Sequence, residues 1–388
     1  MASFMIRWLV AMLFAANLAA AQVAVDPERT SISDGWWTLE VAVGLDQITP
    51  YRVFTLDEPR RLIIDVEGAS FGDLDASTLL SGDRAAAVRF GPLRPGWSRM
   101  VVDLAEPLMI AQASMTAVGD GVDLTIVLER ATPESFAANA GAPPDPGWDV
   151  ITGFDPKVAQ ELAQSEDFVV VIDPGHGGID SGAVRGGIKE SDLMLLMATE
   201  LAVMLKAQDG VQAVLTRDQD IFVPLSARMT LAREVSADLL ISLHADALEE
   251  DDARGAAVYT LSVGGGSAAA QRSVERHERG DLLAGVDLDA ADDRIATALM
   301  DLARAETGPE ARRIADALVA SMQGQGVLLN SNPRREGQFT VLTAADFPSI
   351  LIEAGFLSNA QDRAVLATPE GRARIARAIR DTVVLLAR

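Results

Sequence analysis

The stretch FVVVIDPGHGGIDSGAVRGGIKE, residues 168–190, decides the fold of the larger part of this 388-residue chain. It begins with a near-continuous apolar run, which is typical of a strand buried on both faces of a parallel sheet. A glycine-rich turn containing His176 follows. After Glu190, leucine and methionine recur about every four residues, which indicates one face of a helix. The order of strand, loop and helix predicts an α/β domain.

The same kind of apolar segment returns three times further along the chain. VQAVLT (211–216), DLLISL (238–243) and PSILIE (348–353) are short and almost wholly apolar, so they are predicted to be further buried parallel strands. Another amphipathic helix is expected over 309–323. Residues 167–388 are therefore predicted to form a mostly parallel twisted sheet flanked by helices.

The N-terminal part has a different pattern. WWTLEVAV (36–43), RLIIDVEG (61–68), SRMVVDLA (98–105) and VDLTIVLE (122–129) are short, branched and separated by turn residues. This spacing predicts a small all-β sandwich, which we assign to residues 22–130. Segments 60–69 and 98–107 echo each other, which suggests two similar halves packed face to face. Residues 131–166 are rich in Pro, Gly, Ala and Ser without periodicity and are predicted to be a linker.

Composition limits the possible chemistry. The formal net charge is −23, which disfavours binding to nucleic-acid backbones and to anionic membrane surfaces. The chain has no cysteine, so disulfides and thiolate metal sites are excluded. Any metal must be bound by imidazole or carboxylate groups.

The N-terminus is predicted to be an export signal. Arg7 precedes the apolar run WLVAMLFAANLAAA, and Ala19 and Ala21 are small residues at a cleavage-like position. The run is short for a membrane span. Residues 1–21 are therefore expected to be a signal peptide; a buried N-terminal helix is the alternative. The mature protein is expected to be soluble and periplasmic.

Three polar residues lie at the ends of predicted strands. His176 and His244 each follow a strand, and Glu353 ends another, so they are expected to meet at one edge of the sheet, where α/β proteins bind ligands. Glu190, at the start of a helix, could reach the same edge. Two imidazoles and one carboxylate can hold zinc and leave its fourth position for water. A second carboxylate, Glu353, could exchange protons with water and leaving group. The alternative is that each histidine only satisfies a turn.

These motifs resemble a known family. The runs VIDPGHGGIDSGAVRGGIKESDL, LISLHADA and PSILIEAGFLSN are similar to those of the zinc-dependent N-acetylmuramoyl-L-alanine amidases of the cell wall. The resemblance covers residues 168–388. It implies that His176, Glu190 and His244 bind Zn²⁺ and that Glu353 is catalytic.

The β-rich region is similar to the AMIN domain, which precedes many such amidases. The similarity lies in ITPYRVFTLDEPRRLIIDVEG and VRFGPLRPGWSRMVVDLAEP, and it implies a two-halved sandwich that targets the enzyme to peptidoglycan. Candidate glycan contacts are Tyr51, Arg60, Arg61, Arg89 and Arg99, although exposed arginines are ordinarily solvated.

A charged, mostly helical insertion is predicted at about 264–306, and long insertions near a site are often lids. It resembles the insertion of division-associated amidases, in which a helix blocks the active site and a helix side chain can complete the zinc sphere. His277 and Glu278 are the candidates for this inhibitory fourth ligand. The shared helical face of Val274, Glu278 and Asp281 slightly favours Glu278. Both residues could instead face solvent as part of the charged run.

Such a lid implies a partner that removes it. The resemblance suggests a LytM-domain activator protein of the division machinery. Apolar side chains of the insertion could contact it in a helix-in-groove manner, or could pack on the amidase core; they are Leu282, Leu283, Ile295, Leu299 and Leu302.

The export signal predicts an exported protein, and the resemblance implies that it is an enzyme that hydrolyses the amide between N-acetylmuramic acid and L-alanine in peptidoglycan, for wall remodelling and daughter-cell separation. Two rivals remain open at this point. One is a peptidoglycan endopeptidase with the same zinc chemistry. The other is a non-catalytic wall-binding adaptor, which the retention of all four site residues disfavours.

Overall fold

The computed structural model describes residues 22–143, 156–247, 253–262, 268–284 and 297–388. The predicted signal peptide, residues 1–21, lies outside the described residues, as do parts of the predicted linker and insertion. In the described parts of the chain, no helix combines the length and the apolar character needed to cross a membrane.

The N-terminal region is a sandwich of two sheets and two short helices. Its elements are β1 (Val23–Asp34), β2 (Thr38–Leu45), β3 (Tyr51–Leu56), β4 (Arg61–Glu67), β5 (Ala69–Ser70), α1 (Ala76–Leu79), β6 (Leu80–Ser81), β7 (Ala85–Arg94), β8 (Trp97–Leu104), β9 (Leu108–Val118), β10 (Gly121–Arg130) and α2 (Pro133–Asn139). The first sheet has the order β5-β1-β2-β10-β9, with β6 paired to β1, and the second has the order β3-β4-β8-β7. Apolar side chains from both sheets form one core between them, so the predicted sandwich is confirmed.

The two segments that echo each other do not face each other across this sandwich. They form β4 and β8, which pair antiparallel in the same sheet, with Ile63 opposite Val101. The expectation of similar halves packed face to face is therefore wrong for these two strands. The outward-facing residues of these strands are buried as well, because the sheet is covered on both faces, as described below; they are Arg61, Ile63 and Asp65 in β4 and Arg99 and Val101 in β8.

The first part of the predicted linker belongs to the sandwich. Thr132 caps α2 by accepting a hydrogen bond from the Ser135 amide, as N-cap threonines do. Phe136 in this helix is fully buried in the sandwich core. Residues 133–139 of the predicted linker therefore form a helix that packs on the sandwich, although their composition is typical of a linker.

The C-terminal region alternates helices and strands. Its elements are α3 (Pro156–Ala163), β11 (Phe168–Pro174), β12 (Val184–Arg185), β13 (Ile188–Lys189), α4 (Glu190–Lys206), β14 (Val211–Leu215), α5 (Leu225–Glu234), β15 (Leu239–His244), β16 (Ala256–Leu261), α6 (Ala268–Leu283), α7 (Thr297–Gly324), β17 (Leu329–Gly337), a 3₁₀ turn (Thr340–Leu342), β18 (Ser349–Glu353), α8 (Ala360–Leu366) and α9 (Pro369–Leu386).

The main sheet has the order β14-β11-β15-β18-β16-β17. All neighbouring strands are parallel except the β18–β16 pair. Helices α4, α7 and α9 pack on one face and α3 and α5 on the other. The predicted α/β class, with a mostly parallel sheet between helices, is thus confirmed.

Two parts of the predicted insertion are described, α6 and the beginning of α7. Helix α7 runs through Pro309, so the expected helix start near this proline is wrong. A proline inside a helix removes one backbone hydrogen bond, and here the packing of Ile314, Leu318 and Met322 into the main core stabilises the part that follows.

Candidate active site

The candidate site forms where β11, β15 and β18 end at the same edge of the sheet. His244 and Glu353 are the last residues of their strands and lie opposite each other in the parallel register. His176 follows β11 by two residues, and Glu190 begins α4. The structure therefore brings together all four residues that the sequence singled out. Each of them is buried.

Glu190 lies between the two histidines. One carboxylate oxygen is 3.1 Å from His244 Nδ1 and accepts a hydrogen bond from the Ala245 amide. The other is 3.3 Å from His176 Nε2 and accepts from the Ala183 amide. Burial alone would raise the pKa of Glu190, but the charge of the adjacent His176 lowers it well below its usual range. The carboxylate is therefore held in its charged, ligand-competent form.

The two strand-edge histidines differ in their surroundings. Burial opposes protonation of His176, but the carboxylates of Glu190 and Asp180 raise its pKa well above the usual value. Burial and the nearby His277 lower the pKa of His244 to about 3, so its ring is neutral. Asp180 Oδ2 lies 2.7 Å from His176 Nδ1. This contact orients the ring and leaves Nε2 directed at Glu190, an arrangement common for metal-binding histidines.

Helix α6 supplies a third histidine. The ligand atoms of His176, Glu190, His244 and His277 all lie within 4.8 Å of one another. His277 Nδ1 lies 2.7 Å from the Ser273 carbonyl oxygen, to which it must donate, because a carbonyl only accepts. Its other nitrogen is therefore directed into the site.

Glu353 faces this third histidine. Its Oε1 is 3.3 Å from His277 Nε2, and neither atom has a hydrogen-bond partner among the described residues. Burial would lower the pKa of His277, but Glu353 raises it to about 9. Burial raises the pKa of Glu353, and the adjacent His277 reduces this shift. The remaining oxygen of Glu353 accepts from the Asp246 amide at 3.0 Å.

Glu278, the other candidate from the insertion, does not point at this group. Its two oxygens accept hydrogen bonds from the amide and the hydroxyl of Thr340, at 2.7 and 2.6 Å. The helical face of Val274, Glu278 and Asp281 packs on the amidase core: Asp281 accepts from the Leu225 amide. Because neighbouring residues of a helix are about 100° apart, the face that meets the site carries Ser273, His277 and Gly280 instead. The slight preference for Glu278 is therefore wrong in this structure.

Two buried arginines that the sequence gave no reason to select fix the loop that carries His176. Arg228 in α5 forms a 2.7 Å ion pair with Asp173 and donates to the carbonyls of Pro174 and His176. Arg217 donates to the carbonyls of Pro174, Gly175 and Ser191. These contacts hold His176 in a left-handed backbone conformation (φ 58°), which is uncommon for a residue other than glycine.

Asp246 joins the site to α6. Its carboxylate forms a salt bridge with Arg276 and lies 3.4 Å from the Ser273 hydroxyl. Asp246, His277 and Glu353 form a second group of possible metal ligands. Arg276 already pairs with the charge of Asp246. The group of His176, Glu190, His244 and His277 is therefore the better site for a cation.

The insertion covers one side of the site. His176, His244 and His277 are each 6–8% exposed. A cavity of about 350 Å³ borders the group on the side of Val184 and Arg185.

Among the arginines proposed to contact glycan, Arg61 and Arg99 are buried. Arg99 is paired with Asp65, and Arg89 with Asp103. The suggestion that Arg61 and Arg99 contact glycan is therefore wrong in this structure, because neither side chain is exposed. Tyr51 contacts the Ala113 carbonyl only at 3.5 Å.

Comparison with known proteins places this geometry in a family. Residues 170–384 match the model of the N-acetylmuramoyl-L-alanine amidase family, and residues 29–129 match the AMIN domain. The chain is 30% identical to the N-acetylmuramoyl-L-alanine amidase AmiC of Neisseria meningitidis over 364 residues, which cover 88% of this chain and 84% of that protein.

Two further similarities concern the C-terminal region. The amidase AmiA of Escherichia coli is 35% identical over 218 residues, which cover 56% of this chain and 75% of that protein. The solved structure of AmiC2 of Nostoc punctiforme is 29% identical and covers 56% of this chain and 96% of that chain, with a TM-score of 0.42. The chain belongs to the N-acetylmuramoyl-L-alanine amidase family, is an enzyme of this type that acts on peptidoglycan, and carries an N-terminal AMIN domain.

Proposed function

We propose that the amidase uses Zn²⁺ bound by His176, Glu190 and His244, that Glu353 is its acid/base residue, and that α6 holds the enzyme inactive with His277 as the fourth ligand. The observation that carries this proposal is the group of four buried side chains whose ligand atoms lie within 4.8 Å of one another. Three imidazoles and a carboxylate are a donor set that zinc accepts. The Nε2 of His277 makes no hydrogen bond among the described residues and has only the Glu353 carboxylate nearby, at 3.3 Å, so it could serve as a further ligand.

When bound, zinc would polarise the scissile carbonyl and lower the pKa of a water molecule. The rest of the chemistry falls to the chain's own residues. Glu353 would accept the proton of the attacking water and deliver it to the departing amine of L-alanine. The Asp246 amide holds one oxygen of Glu353 at 3.0 Å, which leaves the other for proton transfer.

Autoinhibition follows from the position of His277. A protein ligand in the fourth position would exclude the attacking water, and α6 would block the approach of a glycan strand from its side. The enzyme would become active when α6 leaves. The outer face of α6 exposes Gln271, Arg272, Glu275 and Arg279, so a partner can reach the helix in its closed position.

We propose a LytM-domain protein of the division machinery as this partner, and daughter-cell separation in the periplasm as the setting. The resemblance of the insertion to that of division-associated amidases supports this. The side chains suggested for the contact, Leu282, Leu283, Ile295, Leu299 and Leu302, lie outside the described side chains. A titration with purified LytM-domain proteins, followed by dye release from labelled sacculi, tests the partner.

The catalytic assignment is tested in a chain whose lid is removed. A variant lacking residues 264–306 is expected to release labelled fragments faster than the full chain; equal rates would remove the autoinhibition. In that background Glu353→Ala should retain zinc and lose activity by about a thousandfold, the range of general acid–base catalysis. Ordinary activity of Glu353→Ala would contradict the mechanism.

The products distinguish the remaining alternative for the bond that is cut. Mass spectrometry should show intact stem peptides that begin with L-alanine and lack the amino sugar. Peptides cut between stem residues would indicate an endopeptidase instead.

A further inference from the structure

The second sheet of the AMIN domain is buried on both faces. Its inner face contributes Leu62, Ile64, Met100 and Val102 to the sandwich core. Because side chains of a strand alternate between faces, the residues between these point away from the core. In an isolated sandwich this outer face would be exposed to solvent. Yet Ile63 and Val101 on the outer face are fully buried.

The amidase domain covers this outer face. A single apolar cluster joins side chains of the AMIN domain to Ile179, Phe222 and Ala284 of the amidase domain; its AMIN members are Phe54, Leu56, Ile63, Leu93 and Val101. Ile179 lies three residues after His176, and Ala284 directly follows α6. The contact therefore reaches both the loop that carries a proposed ligand and the end of the proposed lid.

Backbone contacts make this interface close. The amides of Ile179 and Phe222 donate to the carbonyls of Pro92 and Leu93 in β7, at 3.0 and 3.2 Å. A side chain at Gly178, which has φ 59°, would come within 2.0 Å of the Pro92 oxygen. The absence of side chains at this point allows the strand to lie directly on the loop.

Arg99 extends the contact to α6. It donates to the Ala284 carbonyl at 2.8 Å while Asp65 holds its other guanidinium nitrogens at 2.5 and 2.8 Å. The last carbonyls of a helix lack intrahelical partners and attract cations. An AMIN side chain thus satisfies the end of the inhibitory helix.

We propose that the AMIN domain is an internal clamp: the outer face of its second sheet docks on this chain's own amidase domain and holds α6 over the active site. This role rests on the proposed autoinhibition and adds to wall targeting. Docking of the AMIN domain and closure of α6 would stabilise each other, since coupling between two sites is reciprocal. Any ligand that draws the AMIN domain away would favour the open enzyme.

The test places a charge in the interface of the full chain. Ile63→Glu places a carboxylate in the apolar cluster between the two domains, which is strongly unfavourable, so the domains should separate. The matched control is Ile48→Glu, the same substitution in the same domain at a position that is 76% exposed. Hydrogen–deuterium exchange is measured over residues 268–284 and, as a check on sandwich folding, over residues 38–45.

Ile63→Glu is expected to speed exchange in residues 268–284 by about tenfold or more, with residues 38–45 still protected and Ile48→Glu like the unchanged chain. Unchanged exchange over 268–284 would overturn the clamp. If residues 38–45 lose protection in Ile63→Glu, Leu93→Glu at the edge of the same interface decides: faster exchange of α6 supports the clamp, and unchanged exchange overturns it.

Activity separates this proposal from the proposed autoinhibition. Ile63→Glu should raise activator-free amidase activity in the full chain and add nothing in the variant lacking 264–306. If removal of 264–306 does not raise activity, the autoinhibition fails. The exchange of α6 still reports whether the AMIN domain holds it.

Discussion

The active site has two halves that are built differently. His176, Glu190, His244 and Glu353 lie at strand ends or next to them, and buried arginines fix the loop of the first. His277 lies on helix α6. Contacts with Asp246, Thr340, Leu225 and the AMIN domain hold this helix in place. The first half is part of the main core, whereas the second is held by these polar contacts and by small apolar clusters that contain Ala270, Val274 and Ala284. This difference is what the proposed mechanism requires, because the proposed zinc ligands would have to stay in place when α6 leaves.

The largest effect is expected from a change that destabilises the first half, which holds His176, Glu190, His244 and Glu353 and is called the fixed half below. Arg228→Met would leave the fully buried Asp173 without its cation, and breaking a buried ion pair costs about 3–5 kcal/mol. Asp173 needs this partner because burial would raise its pKa, whereas Arg228 lowers it. Urea unfolding should show this loss of stability, and zinc content should fall. Arg233→Met is the control: its residue lies in the same helix and pairs with Asp346 at the surface, where such pairs contribute at most about 1 kcal/mol. Equal stability of the two variants would contradict the assigned role of Arg228.

The second half, helix α6 with His277, is called the movable half; a small substitution should be enough to displace it. A methyl group at Gly280 would lie 2.5 Å from Asp180 Oδ2, which is held by its 2.7 Å contact with His176 Nδ1, so Gly280→Ala should lift α6 although alanine favours helices. We expect activator-free activity to rise by about tenfold, the effect of about 1.4 kcal/mol. Gly324→Ala, at the end of α7 where the methyl group would meet open space, should leave activity unchanged. If both variants behave like the unchanged chain, close packing at Gly280 does not hold the lid.

Loss of the salt bridge between Arg276 of α6 and Asp246 should raise activator-free activity less than Gly280→Ala does. Arg276→Gln removes the cation that pairs with Asp246, and this side chain is only partly buried. Dye release without activator is expected to rise about two- to fivefold, as for the loss of a partly exposed pair of up to about 1 kcal/mol. Arg272→Gln, on the exposed face of the same helix, is the control. An increase in the control alone would place the important contact on the outer face.

The smallest predicted effect is a dependence on pH. Burial raises the pKa of Asp281 to about 6, aided by Glu278 and Asp180 and opposed by the Leu225 amide and Arg228. Because the pKa is raised when α6 is docked, protonation favours docking. This stabilisation is full below the ordinary pKa near 3.8 and is lost as pH rises through about 6. Exchange over 268–284, corrected for its intrinsic pH dependence, should accelerate from pH 5 to pH 7. In Asp281→Asn, which keeps an acceptor for the Leu225 amide, this acceleration should disappear. A persistent acceleration would assign it to another group.

The sequence allowed the fixed half to be predicted more fully than the movable half. His176, His244 and Glu353 could be selected because strand ends of a parallel sheet meet at one edge, whatever the details of packing. The choice between His277 and Glu278 depended on which face of α6 meets the core, and adjacent helix positions give no such information. Arg217 and Arg228 were missed because single arginines are ordinarily exposed, and only the fold shows the carbonyls that they bind.

The AMIN domain shows the same limit. Strand spacing predicted the sandwich, but the segments 60–69 and 98–107 were expected to face each other and instead pair side by side. The available signal was limited to Ile63 and Val101, which are apolar at outward positions where an exposed face would carry polar residues; their outward neighbours Arg61, Asp65, Arg99 and Asp103 are charged. That signal indicates a covered face without indicating what covers it.

The most direct test of the closed site counts the imidazoles bound to zinc. X-ray absorption of the zinc-loaded full chain should show three imidazoles, and that of His277→Ala should show two, accompanied by a rise in activator-free amidase activity. Two imidazoles in both proteins, with equal activity, would contradict the account.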